Sequence, residues 1–236
     1  MSFRSVIKEL PWRIGLSTAE QFVAVFAGVL GGSAALAGMN ISRLQCDPIA
    51  LNAVFYLALL AGTAAALWCV PPFGALAGKL GIRGFRSGDL SPIFVGLAVV
   101  CLTHLCVSPL WGGALHALGV DYAASQDFIR LCRGAAPLRF AALAAVAGVL
   151  IPVAEELVFR RLVFGMLRPL GALPALLTAS LIFSVLHFFL YGFWALWVLG
   201  GAFQWIYLRT GNLAACIAAH MAFNIVSLAA AFCFGG

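Results

Sequence analysis

The sequence predicts an all-α fold, a polytopic transmembrane helix bundle of about seven to eight spans. Three observations predict it. Hydrophobic residues fill 64% of the 236 positions and charged residues only 9%, with a mean hydropathy of +1.06, whereas a soluble domain carries about 25% charge. The apolar residues fall in runs of about 20, the length that crosses a bilayer as a helix. Most of the Lys and Arg residues stand at the ends of those runs, where they orient a chain in the membrane. The net charge of +6 therefore does not point to nucleic acid, and no stretch is left over for a soluble domain.

Met1 to Ser17 is short and basic, with Arg4, Lys8 and Arg13, and Trp12 is placed as an interfacial anchor. The leader resembles that of a signal peptide, but the apolar run from Gln21 to Met39 is longer than a signal-peptide core of about 15 residues, so Thr18 to Met39 is read as the first span. Pro48 to Pro72 is the second, closed by the pair Pro71 and Pro72, which cannot continue a helix. A glycine-punctuated loop with Lys79, Arg83 and Arg86 leads into the third, about Leu90 to Trp111. That span carries His104, read as a structural residue because no motif surrounds it. Gly112 to Pro137 is the longest connection, with room for a short interfacial helix.

Leu138 to Leu167 is the fourth span. Pro152 inside it removes one i to i−4 hydrogen bond and is expected to kink or divide the helix just before two glutamates. After a turn from Pro169 to Pro174 come the fifth span, Ala175 to Leu190, the sixth, Phe193 to Leu208, and the seventh, Leu213 to Phe234. Phe188, Phe189, Phe193, Trp194 and Trp197 form an aromatic band around the turn at Tyr191, as expected at a membrane interface. Residues 1–137 thus make an N-terminal set of spans and connections, and residues 138–236 a C-terminal helix bundle. The seven cysteines occur singly and read as small apolar packers. Cys46 and Cys132 are the pair that a bridge could join.

Ile151 to Leu167 reads IPVAEELVFRRLVFGML and concentrates the charge of the C-terminal half. An ionisable group at membrane depth costs at least ~2.5 kcal/mol, so it normally faces a bundle interior or a wet cavity and has a partner. Glu156 and Arg160 are four apart on one helix face, with the acid on the N-terminal side as a helical pair prefers. Glu155 is rotated by about 100° from Glu156, so one carboxylate can be held by the arginine while the other points elsewhere. A purely structural ion pair joining helices would use the same residues.

Glu155 and His187 each lie sixteen positions from Gly171. In two antiparallel helices hinged there, both stand ~24 Å from the turn. In the seventh span His220 and Asn224 share a face through their i, i+4 spacing, at ~14 and ~20 Å from the Gly211 end. A carboxylate, two imidazoles and an amide can therefore converge in the half of the bilayer nearest Tyr191.

Three segments carry a resemblance: Glu155-Glu156-Leu157-Val158-Phe159-Arg160, Phe183-Ser184-Val185-Leu186-His187 and His220-Met221-Ala222-Phe223-Asn224. In this order they are similar to EExxxR, FxxxH and HxxxN or HxxxD of the CAAX prenyl protease and bacteriocin-processing family (CPBP, or Abi) of intramembrane proteases. The resemblance covers about residues 138 to 234, which makes 138–236 a CAAX-protease-like catalytic bundle. It implies an endopeptidase that cleaves the tail or leader of a membrane-embedded or lipid-anchored protein, in a bacterial inner membrane. Under it, Glu155 is the base for water, His187 holds that water, and His220 and Asn224 form the oxyanion hole. Glu156, Arg160 and Phe183 support them.

No cofactor is needed for that reading. The rival is zinc bound by Glu155, Glu156, His187 and His220, although the sequence lacks HExxH. A non-catalytic immunity or transport protein of the same fold is the non-enzyme alternative. With seven spans, eight basic residues lie on the N-terminal side (Arg4, Lys8, Arg13, Lys79, Arg83, Arg86, Arg168 and Arg209) and four on the other (Arg43, Arg130, Arg133 and Arg139). The positive-inside rule then places the Tyr191 half outside. An eighth helix within Gly112 to Pro137 would invert that result.

Overall fold

The computed structural model describes residues 17–41, 47–68 and 81–234. They form α1 (Thr18–Ile41), α2 (Pro48–Trp68), α3 (Ser87–Ala117), the short α4 (Asp127–Cys132), α5 (Pro137–Leu170), α6 (Ala172–Leu186), α7 (Phe193–Thr210) and α8 (Leu213–Phe234). No strand occurs among the described residues, and the expected all-α polytopic bundle is borne out. Helices α1, α2, α3, α5 and α8 are long and apolar enough to cross a membrane. The shorter α6 packs along α7, which also lies against α3. Trp12, the Pro71 and Pro72 stop, Lys79 and Cys46 lie outside the described residues; Cys132 is buried with a free thiol.

Two polar ties show how the helices alternate. Arg139 at the start of α5 pairs with Asp47 just before α2 at 2.8 Å, so both helices begin at one end of the bundle. At the other end, Arg83 makes two hydrogen bonds to Asp89, at 2.7 and 2.9 Å, and one to the carbonyl of Thr210. Asn212 donates to the same Asp89, which fastens the start of α3 to the turn between α7 and α8.

Helix α3 is longer than expected, 31 residues, and runs through Pro92 and Pro109. The connection after it is correspondingly short. Within it α4 has six residues, ~9 Å of helix. That is too short to cross a bilayer, so it does not invert the C-terminal half.

Pro152 does not divide α5. Instead the helix takes a π-helical turn at Val146–Leu150, in which the N–H of Ile151 reaches back to the carbonyl of Val146. A second π-helical stretch, Glu156–Val163, holds the charged cluster. Such bulges absorb an irregular residue without breaking the helix and are frequent at functional sites. The helix then turns at Gly171, whose φ of +102° is open to glycine, and the α5–α6 hairpin centres where the sequence predicts.

Helix α6 ends at Leu186, four residues before the expected Leu190. His187 closes it, and Phe188 takes a φ of +48°, a left-handed conformation that a bulky residue rarely adopts and that stops a helix.

The N-terminal helices are built into the same bundle. A Cβ on Gly62 would lie 2.6 Å from the carbonyl oxygen of Ala27, so α1 and α2 meet backbone to backbone, as small residues allow between membrane helices. Helix α2 then lies along α5. Ile49 packs in one apolar cluster with Leu143, Ala147 and Ile151, and Leu67 in another with Ala24 and Leu162.

Candidate active site

The adjacent glutamates of α5 have different partners. Glu156 is fully buried, and its Oε2 accepts a hydrogen bond of 2.9 Å from Nε of Arg160, itself at 0% exposure. The guanidinium lies over the ring of Phe183, 4.8 Å from its centroid, with Phe203 on a further side at 5.8 Å. The pair predicted from the i, i+4 spacing is therefore present, with Phe183 as its floor.

His220 completes this arrangement. Its Nδ1 lies 2.9 Å from Oε1 of Glu156. Because an ionised carboxylate only accepts, that nitrogen is assigned the proton. The other nitrogen, Nε2, faces Oε2 of Glu155 at 3.9 Å.

Glu155, also buried, lies beside this cluster. On its Oε1 side, Nε2 of His187 stands 4.0 Å away, and the hydroxyl of Tyr56 donates a hydrogen bond of 3.0 Å. The Nδ1 of His187 lies 2.7 Å from the carbonyl oxygen of Phe183, an acceptor only, so this imidazole too has its proton assigned to Nδ1. Both histidines thus turn Nε2 toward Glu155 with the opposite nitrogen fixed. The gaps of 4.0 and 3.9 Å exceed a direct hydrogen bond, the range in which polar contacts run through water.

Asn224 has a partner that the sequence reading did not name. Its Nδ2 donates to the carbonyl oxygen of Ala147 at 2.8 Å. That carbonyl has lost its helical donors: Ile151 bonds to Val146 instead, and Pro152, the next residue along, has no N–H. The asparagine therefore closes a gap made by the proline and its π-turn, with one amide hydrogen left over.

Among the described residues, no group of three or more His, Cys, Asp or Glu side chains is disposed to hold a metal ion. Glu156, one of the four groups of the zinc reading, has both oxygens engaged, Oε2 by Nε of Arg160 and Oε1 by a second guanidinium nitrogen and by Nδ1 of His220. His104 stands apart, beside Ser108 on α3.

Tyr56 and the carbonyl of Ala147 are the two participants that the sequence reading missed. A tyrosine well inside an apolar run, away from the interface where the residue usually sits, was the available signal for the first. Nothing in the sequence marks the second.

The described helices thus bring two adjacent carboxylates and two imidazoles together within a bundle of apolar helices. Residues 137–226 match the family model described as type II CAAX prenyl endopeptidase Rce1-like, so the family recognised from the three motifs is borne out over that segment. The match supports a CAAX-type intramembrane protease in general, and with the apolar helices it makes the chain an integral membrane protein. No curated protein and no solved structure matches the chain.

Proposed function

We propose that this protein is a glutamate-dependent intramembrane endopeptidase acting on the tail or leader of a membrane-embedded or lipid-anchored protein. The observation that carries the reading is the placement of two imidazole Nε2 atoms opposite the two oxygens of Glu155, each beyond direct hydrogen-bond distance. A water in the His187 gap would donate one hydrogen to Glu155 and the other toward Nε2 of His187, leaving an oxygen lone pair for attack. As the new C–O bond forms, Glu155 takes the water's proton, and the peptide carbonyl becomes an oxyanion. When the C–N bond breaks, Glu155 returns that proton to the leaving amine.

The oxyanion needs donors already in place. Nε2 of His220 donates only when the imidazole is protonated on both nitrogens. It stands between the carboxylates of Glu155 and Glu156. The second amide hydrogen of Asn224 is the other candidate donor. Glu156, Arg160 and Phe183 act by holding His220 and the helix, and no metal ion enters any step.

The direction of opening bears on the substrate. His187 and the 187–192 connection lie at the end of the bundle shared by Asp47 and Arg139, opposite the Arg83 and Thr210 tie. The bias of basic residues assigns that end to the outer side. On this reading the enzyme sits in a bacterial cell membrane and trims C-terminal sorting tails of exported proteins, in preference to prenylated CAAX tails that open to the cytosol. The test is reconstitution in lipid vesicles with two peptides, an unprenylated apolar tail and a farnesylated CAAX tail, with products identified by mass. Cleavage of the apolar tail that disappears in Glu155→Ala supports the proposal. Failure to cleave either peptide, or cleavage unaffected by Glu155→Ala, overturns it.

A further inference from the structure

We infer that Tyr56, on α2 and outside the segment matched to the protease family, is a positioning residue for Glu155. The active centre then includes the N-terminal helices. This inference rests on the reading of Glu155 as the base.

Three observations converge on it. The Tyr56 hydroxyl donates to Oε1 of Glu155 at 3.0 Å across 99 residues of sequence. Helix α2 is held against α5 on both sides of that contact, by Ile49 against Ala147 and Ile151 and by Leu67 against Leu162. Both helices also start at the same end of the bundle, where Asp47 meets Arg139. The hydroxyl is therefore presented by a fixed scaffold.

The physical role follows from the gaps around the carboxylate. Glu155 has two imidazole nitrogens beyond direct hydrogen-bond distance. A carboxylate free to rotate would turn its oxygens away from these nitrogens and lose the geometry in which one water contacts both a carboxylate oxygen and an imidazole. The Tyr56 hydroxyl, donating to Oε1, fixes the carboxylate against that rotation. It leaves an acceptor position on each oxygen and supplies no proton to the substrate. Because it acts on geometry, its loss should slow turnover without weakening substrate binding.

The test is Tyr56→Phe, which keeps the ring packed beside Phe55 and removes only the hydroxyl, measured with Glu155→Ala on the same apolar tail peptide in vesicles. The expected result is a fall in kcat of roughly 10- to 100-fold, the scale of an ångström misplacement, with KM and melting temperature unchanged. A purely packing role predicts wild-type kcat for Tyr56→Phe and losses only in Tyr56→Leu; that result overturns the inference. A Tyr56→Phe protein that loses melting temperature and KM together with kcat overturns it as well. Activity in Glu155→Ala would instead remove the underlying reading of the base, a distinguishable failure. Infrared difference spectra give a readout independent of turnover: the carboxylate band that vanishes in Glu155→Gln should shift in Tyr56→Phe, and an unshifted band contradicts the inference.

Discussion

Nδ1 of His220 lies 2.9 Å from Oε1 of Glu156, so the second glutamate of the pair, and not the first, fixes the imidazole. This contact divides the labour between two adjacent carboxylates. Glu156 is spent on Arg160 and His220, while each oxygen of Glu155 faces an imidazole Nε2 beyond direct hydrogen-bond distance.

The division predicts unlike mutants. Arg160→Ala would leave Glu156 buried without its cation, and Glu156→Ala would leave Arg160 alone at 0% exposure. Breaking a buried pair from one side costs about 3–5 kcal/mol, so each variant should show a large fall in thermal stability in detergent together with lost activity. His187→Ala should lose activity with little change in melting temperature, because its side chain is only half-buried and its hydrogen bond closes a helix end.

Asn224→Ala should be destabilised by about 1–3 kcal/mol, the cost of leaving a buried acceptor unsatisfied, since the Ala147 carbonyl has no other donor in its helix. Replacing Pro152 with alanine in the same protein restores an N–H in α5 and should recover part of that stability. Melting temperatures of the single and double variants measure the coupling.

Chelation distinguishes the two mechanisms. Enzyme treated with a strong chelator and freed of zinc should retain its activity, with elemental analysis showing well under one metal ion per chain. Activity that is lost on stripping and restored by zinc would support the metal reading.

A single cysteine at Gly192, in an otherwise cysteine-free variant, should react with an impermeant thiol reagent from the outer side only. Reaction from the cytoplasmic side alone would reverse the orientation and return the prenylated CAAX tail to first place among substrates.

The depth of each polar group was legible in the sequence because helix rise converts residue number into distance. Glu155 and His187, each sixteen positions from Gly171, do meet. What the sequence did not carry was azimuth and pairing between helices distant in the chain. Tyr56 reaches Glu155 only because α2 packs along α5, and the i, i+4 pair of His220 and Asn224 splits between Glu156 and Ala147 because a π-turn frees one carbonyl. The π-turn itself follows from Pro152, whose effect was foreseen as a kink and is instead absorbed over an added residue per turn. Helix α3 outruns the span expected from about Leu90 to Trp111, starting at Ser87 and continuing through Gly112 and Gly113 to Ala117.

The central claim, that Glu155 activates the water while Glu156 only holds the framework, is tested most directly by single-turnover cleavage with Glu155→Gln, which keeps the side chain's shape and removes its basicity. The account predicts a rate lower by about 10²- to 10⁴-fold, with an unchanged melting temperature. Cleavage at the wild-type rate by Glu155→Gln would contradict it.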